Sequence, residues 1–260
     1  SVSQTSITTT TGTALRLSST AGSITLTDLD KNGGGTGIDL SSVDASVSIA
    51  SGATIANTTV AAIDIDGGLG AFAYAGTLSV SLGRAVEVTN RSTGAPGLVE
   101  FTGGISATAG SGVNLDNNDT GTITFSGGLV LSTGTNTAFN ATSGGTVTVS
   151  GAANTLTTSS GIALNVANTS IGAAGLTFRS ITAGSGSSSA GVGISLVSTG
   201  VAAGNGGLTV TGLGSAGSGG TIQRKSGADG STSSGVGIYL QDTKAPSFRW
   251  MQLNDFDNAA

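Results

Sequence analysis

An apolar residue, one residue of any type and a second apolar residue return together nine times along this chain. The copies are Leu15-Arg16-Leu17, Ile38-Asp39-Leu40, Ile63-Asp64-Ile65, Val86-Glu87-Val88, Val113-Asn114-Leu115, Phe139-Asn140-Ala141, Leu164-Asn165-Val166, Ile194-Ser195-Leu196 and Ile238-Tyr239-Leu240. Most follow a small or glycine-containing turn, and the first four intervals are 23, 25, 23 and 27 residues. A repeat of this length is the signature of a solenoid, in which each unit contacts only its neighbours.

Each copy is followed by a second apolar alternation, for example Ile24-Thr25-Leu26, Phe72-Ala73-Tyr74, Val99-Glu100-Phe101 and Ile123-Thr124-Phe125. A third often starts six residues later, as in Leu78-Ser79-Val80, Ile105-Ser106-Ala107 and Leu129-Val130-Leu131, across tight joints such as Thr102-Gly103-Gly104. Period-two alternation makes each triplet a short strand with its outer members facing one way. Three such strands per period predict an all-β fold, a right-handed parallel β-helix of about nine to ten coils. Stacked at about 4.8 Å, nine coils give a rod of roughly 43 Å. Closed antiparallel barrels need strands of roughly ten residues, longer than these.

The intervals lengthen toward the C-terminus, reaching 44 residues between Ile194 and Ile238. The added length is predicted as loop, near residues 183–191 and 224–235. Residues 1–260 are therefore read as one β-helix segment. Both ends alternate like strands, which predicts a piece excised from a longer solenoid, with the same chain continuing at either end. Uncapped ends also predict end-to-end self-association, because exposed strand edges template further pairing.

Composition narrows the function classes. There are 45 glycines in 260 residues, two prolines, no cysteine and no histidine. Disulfides, thiolate chemistry and imidazole metal sites are excluded. Charged residues are 9% and the net charge is −5, with basic residues scattered, so no nucleic-acid footprint is present. No apolar run approaches the eighteen residues of a membrane span.

The middle residue of the first triplet points outward, so successive middles form a column: Arg16, Asp39, Asp64, Glu87, Asn114, Asn140, Asn165, Ser195, Tyr239. Stacked carboxylates repel by about 1 kcal/mol in water and by about 3–4 kcal/mol at an effective dielectric near 20. The plainest reading is a solvated charged face. Two functional readings compete with it. Asp39, Asp64 and Glu87 could hold a hard cation such as Ca²⁺, the one cofactor the sequence suggests. Alternatively, two of them could cleave a glycosidic bond as acid and base. The runs Asp28-Leu29-Asp30-Lys31-Asn32-Gly33 and Asp116-Asn117-Asn118-Asp119 resemble calcium loops but are read as plain turns. No residue is singled out as catalytic or cofactor-binding.

The second strand predicts an outward column of Thr25, Ser48, Ala73, Glu100, Thr124, Thr148, Thr177, Thr209 and Arg249. Such a hydroxyl ladder would suit an ice-binding face, although Ala73 and Glu100 interrupt it. Inward, Tyr74, Phe101, Phe125, Phe178 and Trp250 are predicted to stack in the core.

The segments Gly219-Gly220-Thr221-Ile222-Gln223, Gly235-Val236-Gly237-Ile238-Tyr239-Leu240 and Met251-Gln252-Leu253-Asn254-Asp255-Phe256 resemble the β-strand-repeat proteins of bacterial cell surfaces. These are adhesins and autotransporter passengers with right-handed parallel β-helices. The resemblance implies an extracellular or bacterial-surface location and a structural role in adhesion or display, with a cell-surface glycan or protein receptor as partner. It brings no catalytic residues and no membrane insertion of this segment. A polysaccharide-active enzyme is the alternative expectation and an ice-binding face the third.

Overall fold

The computed structural model describes residues 2–91, 94–228 and 230–256. Every triplet of the first set is a strand, and all nine lie in one parallel sheet. Its strands are Leu15–Ser18, Ile38–Ser41, Ala61–Asp66, Arg84–Thr89, Ser111–Asp116, Phe139–Thr142, Leu164–Ala167, Ile194–Gly200 and Ile238–Thr243. The register follows the triplets at every level, from Arg16 opposite Asp39 to Ser195 opposite Tyr239.

The second and third faces form one sixteen-stranded sheet, because the long strand Ser23–Asn32 runs from one face into the next. Its first half pairs with Ser46–Ile49 and its second half with Thr54–Ala56. Third-face strands then follow at Thr77–Val80, Ile105–Ala107, Leu129–Ser132, Thr155–Thr157 and Ser180–Thr182. The protein is thus an all-β parallel solenoid with three strands per turn and, among the described residues, no helix. Complete turns number about seven, a little fewer than the nine to ten predicted. The first face alone runs nine strands deep, whereas the third-face ladder stops at Ser180–Thr182.

Two sequence features shape the corners. Four residues after each triplet begins its first-face strand, the chain turns through left-handed backbone. Ser19, Ser42, Asn90, Asn117, Ser143, Asn168, Ser198 and Asp242 have φ between 46° and 61°, and Gly67 fills the same place at 69°. Short polar side chains and glycine tolerate this conformation best. Just before the triplet stands a buried small residue: Ala62, Ala85, Ala138 and Ala163 are at most 0% exposed, and Gly112 has no room for a Cβ against the carbonyl of Ala138.

The interior is a continuous apolar column from Leu26 to Ile222. Phe101 and Phe125 are stacked one coil apart, with ring centroids 4.9 Å apart and planes 6° from parallel. Phe72 lies 5.9 Å before Phe101, and Phe139 meets Phe125 edge-on at 5.7 Å. Offset stacking and edge contacts are the arrangements that aromatic quadrupoles favour.

Several expectations are corrected at the margins. Trp250 is 49% exposed and sits at φ 59°, so it does not join the core. The last second-face strand is Ser247–Phe248, which places Phe248 opposite Val210 and Ser247 opposite Thr209. Arg249 therefore does not continue the hydroxyl column. Pro246 lacks the amide proton that an earlier start would need. The same column slips at Ser170–Phe178, where a register shift puts Val149 opposite Leu176. Four residues, Gly172 to Gly175, separate Ile171 from Leu176 there, where only Thr148 separates their partners Val147 and Val149. Finally, Arg224 and Lys225 belong to a strand, Thr221–Lys225, which pairs with Gln252–Phe256 and touches the third face through an Ala183–Ile222 bridge.

Candidate functional site: a side-chain ladder on the first face

The outward column on the first face is assembled as its spacing predicts, and its side chains bond to one another along the rod. At the first level, Arg16 Nε lies 3.0 Å from Asp39 Oδ2. Two levels on, Arg84 Nε lies 3.2 Å from Glu87 Oε2 on the same strand. Asn114 Nδ2 donates to the other oxygen of Glu87 at 3.0 Å. Asn140 donates to Asn114 at 2.9 Å, and Asn165 donates to Asn140 at 2.7 Å. Parallel pairing makes this possible, because it sets identical positions of successive coils directly above one another.

A second ladder runs beside it at the left-handed corner. Asn90 donates to Asp66 at 2.7 Å and Asn117 donates to Asn90 at 2.9 Å. Asn is thus selected twice at these corners, for its backbone and for its amide. Asp116 accepts from Thr142 at 2.7 Å.

Asp64 is the exception. It stands between Asp39 and Glu87 in register, half-buried, and makes no hydrogen bond or ion pair among the described residues. Its carboxyl is pushed up to about 6, first by burial, then by the charges of Glu87, Asp39 and Asp66, with Arg84 opposing. A half-buried carboxyl with a raised pKa beside other carboxylates is an arrangement used in acid–base chemistry.

The three cation candidates are therefore neighbours on one face, as expected. Asp39 and Glu87 each already face an arginine. Among the described residues, no three acidic side chains are grouped so as to hold a metal ion. The two calcium-like runs have other roles. Asp28 to Asn32 is strand, not turn, and Asp28 and Asp30 accept from Ser6 and Thr54. Asn117 forms the left-handed corner, and Asn118 is buried with its amide donating to Val88 O at 2.9 Å.

Beside the amide half of the ladder lies a shallow groove of about 380 Å³, lined by Arg84, Ser111, Asn114, Asn136, Thr137 and Asn140.

Three buried cations escaped the reading of the sequence. Lys31 is 1% exposed, and its ammonium donates to the carbonyls of Gly34 at 2.5 Å, Gly33 at 3.0 Å and Thr10 at 3.3 Å. Arg91 is 2% exposed and donates to Gly70 O at 2.7 Å and Gly97 O at 2.9 Å. Lys225 is fully buried and donates to Ser189 Oγ at 3.0 Å. Burial lowers the pKa of all three. For Lys31 a signal existed: in Leu29-Asp30-Lys31 it occupies an inward position of the alternation. Lys31 and Arg91 hold backbone carbonyls and Lys225 a serine hydroxyl, so each buried charge is hydrogen-bonded, as burial requires.

A scan of family models and searches among curated proteins and solved structures found no match to this chain. No helix among the described residues is long and apolar enough to cross a membrane.

Proposed function

We propose that this chain is a rigid β-helical stalk segment of a bacterial surface or secreted protein, serving adhesion or display. The observation that carries the reading is the unbroken first face. Nine strands stay in register, and their outward side chains are tied to one another from Arg16 to Asp39 and from Glu87 to Asn165. Such cross-linking stiffens a rod along its axis, the property a spacer needs. Extended faces of solenoids bind partners by area instead of enclosure. A cell-surface glycan or protein is the partner this role calls for. If the reading holds, antibodies against the chain label intact source cells or their culture medium. Labelling that requires permeabilised cells would overturn it.

One observation favours a second reading, a polysaccharide-active enzyme. Asp64 has a raised carboxyl, as a general acid does, and stands beside Asp39 and Glu87 in register. Asp64→Asn would then abolish release of reducing ends from a polysaccharide panel. Under the stalk reading no polysaccharide is cut by either form.

A further inference from the structure

The ladder on the first face has one gap. From Arg16 to Asn165, every neighbouring pair of column side chains is joined by an ion pair or hydrogen bond except the two pairs that involve Asp64. The reason is chemical. An ionised carboxylate accepts hydrogen bonds but donates none. Asn114 bridges its neighbours because an amide does both. Asp39, Asp64 and Glu87 in sequence supply three acceptors and no donor between them.

We propose that Asp64 is a proton-binding site that completes this ladder: the protonated carboxyl donates to Asp39 or Glu87, and the rod is more stable in mildly acidic medium than at neutral pH. The groups that face Asp64 favour this. Asp39 stands on the strand before, Glu87 and Arg84 on the strand after, and Asp66 on its own strand. Three of the four are acidic. Arg84, the fourth, is already engaged with Glu87, and Arg16 is spent on Asp39 one level further out. A single proton removes the central repulsion and adds a charge-assisted hydrogen bond, which is stronger than a neutral one.

The direction of the pH effect follows from linkage. In the folded protein Asp64 holds its proton up to a pH of about 6, whereas a free carboxyl of this kind releases it near 3.8. The folded state binds the proton more tightly, so stability falls as pH rises through this window and is regained as pH falls. This contribution is the reverse of the usual one, in which paired carboxylates lose stabilisation in acid. The interval from pH 7.5 to 5 lies above the ordinary carboxylate range, and the comparison with Asp64→Asn separates Asp64 from any other group that titrates there.

The experiment measures the melting temperature between pH 7.5 and 5 for the whole chain, for Asp64→Asn and for Asp116→Asn. The unaltered chain should melt about 3 °C or more higher at pH 5. Asp64→Asn should melt higher than the unaltered chain at pH 7.5 and lose the acid gain, because the amide supplies the missing donor at every pH. Asp116→Asn should keep the gain, since Asp116 stands outside the gap and accepts from Thr142. A gain that survives Asp64→Asn would trace to the net charge of the chain and overturn the proposal, as would an Asp64→Asn form less stable at both pH values. Carboxyl-resolved NMR of the unaltered chain gives a readout independent of any variant. Asp64 should titrate near 6, and titration below 5 would overturn the proposal.

Discussion

The two halves of the first-face column share one parallel register and differ in their outward groups, carboxylates in one and carboxamides in the other. Asn114, Asn140 and Asn165 form a chain in which each amide donates to the level before it. Asp39, Asp64 and Glu87 occupy equivalent positions and require arginines at both ends, with a gap between. A repeated polar position on a parallel solenoid is therefore a cooperative unit. Its stability depends on whether donors and acceptors alternate along the axis, not on polarity as such. The amide half satisfies that rule with identical residues, and the acidic half cannot.

The comparison has a common foundation, and damage there should exceed any change on the surface. Phe125 is buried beneath the amide half against Phe101 and Phe139. Phe125→Ala is expected to cost about 3–5 kcal/mol in chemical denaturation, from lost burial and the cavity left behind. A loss under 1 kcal/mol would mean that the column can be repacked and that the outer ladders bear most of the stability.

A smaller change moves the boundary between the halves. Asn114→Asp removes the donor to Glu87 and sets a fourth carboxylate in the row. At pH 7 it should destabilise the fold by about 1–3 kcal/mol, the range for leaving a half-buried polar group without its bond. The penalty should shrink as the pH is lowered to 5. Equal stability at both values would show that amide and carboxylate are interchangeable in this column.

Next come the two arginines of the acidic half. Arg84→Gln removes a half-buried partner from Glu87 and should cost about 1 kcal/mol. Arg16→Gln should cost less than about 0.5 kcal/mol, because the Arg16 side chain is 76% exposed and its pair is screened. If the two costs came out reversed, the interior of the column would not be the place where charge matters. The smallest expected effect is that of calcium. At millimolar concentration it should leave the melting temperature unchanged within error. A rise of several degrees that Asp64→Asn removes would make the acidic half a cation site, since a ligand of the folded state stabilises it by mass action.

Much of this molecule was legible as a string of letters, and for a definite reason. In a parallel solenoid each residue's main neighbour is its counterpart one period away, so a count along the sequence is also a count through space. That is why the nine first-face triplets predicted the register at every level and placed Asp39, Asp64 and Glu87 side by side. Legibility failed where the period was interrupted. The insertion at Gly172 to Gly175 shifted the second face by one pair, and the chain's turn after Phe248 put Trp250 outside. It failed again where a side chain acts across a corner, as Lys31 and Arg91 do.

The solenoid, its three strands per turn, the stacking of Phe101 on Phe125 and the membership of the first-face column can all be read from the string of residues. Period-two alternation and a fixed repeat length encode those directly. Which members of the column are joined is a matter of three-dimensional geometry. Whether Arg84 reaches Glu87, whether Asn114 reaches back to it, and whether Asp64 is left alone depend on rotamers and on distances of about 3 Å between chains of atoms that the letters do not specify. The register brings the groups together; the geometry of donors and acceptors decides what they do there.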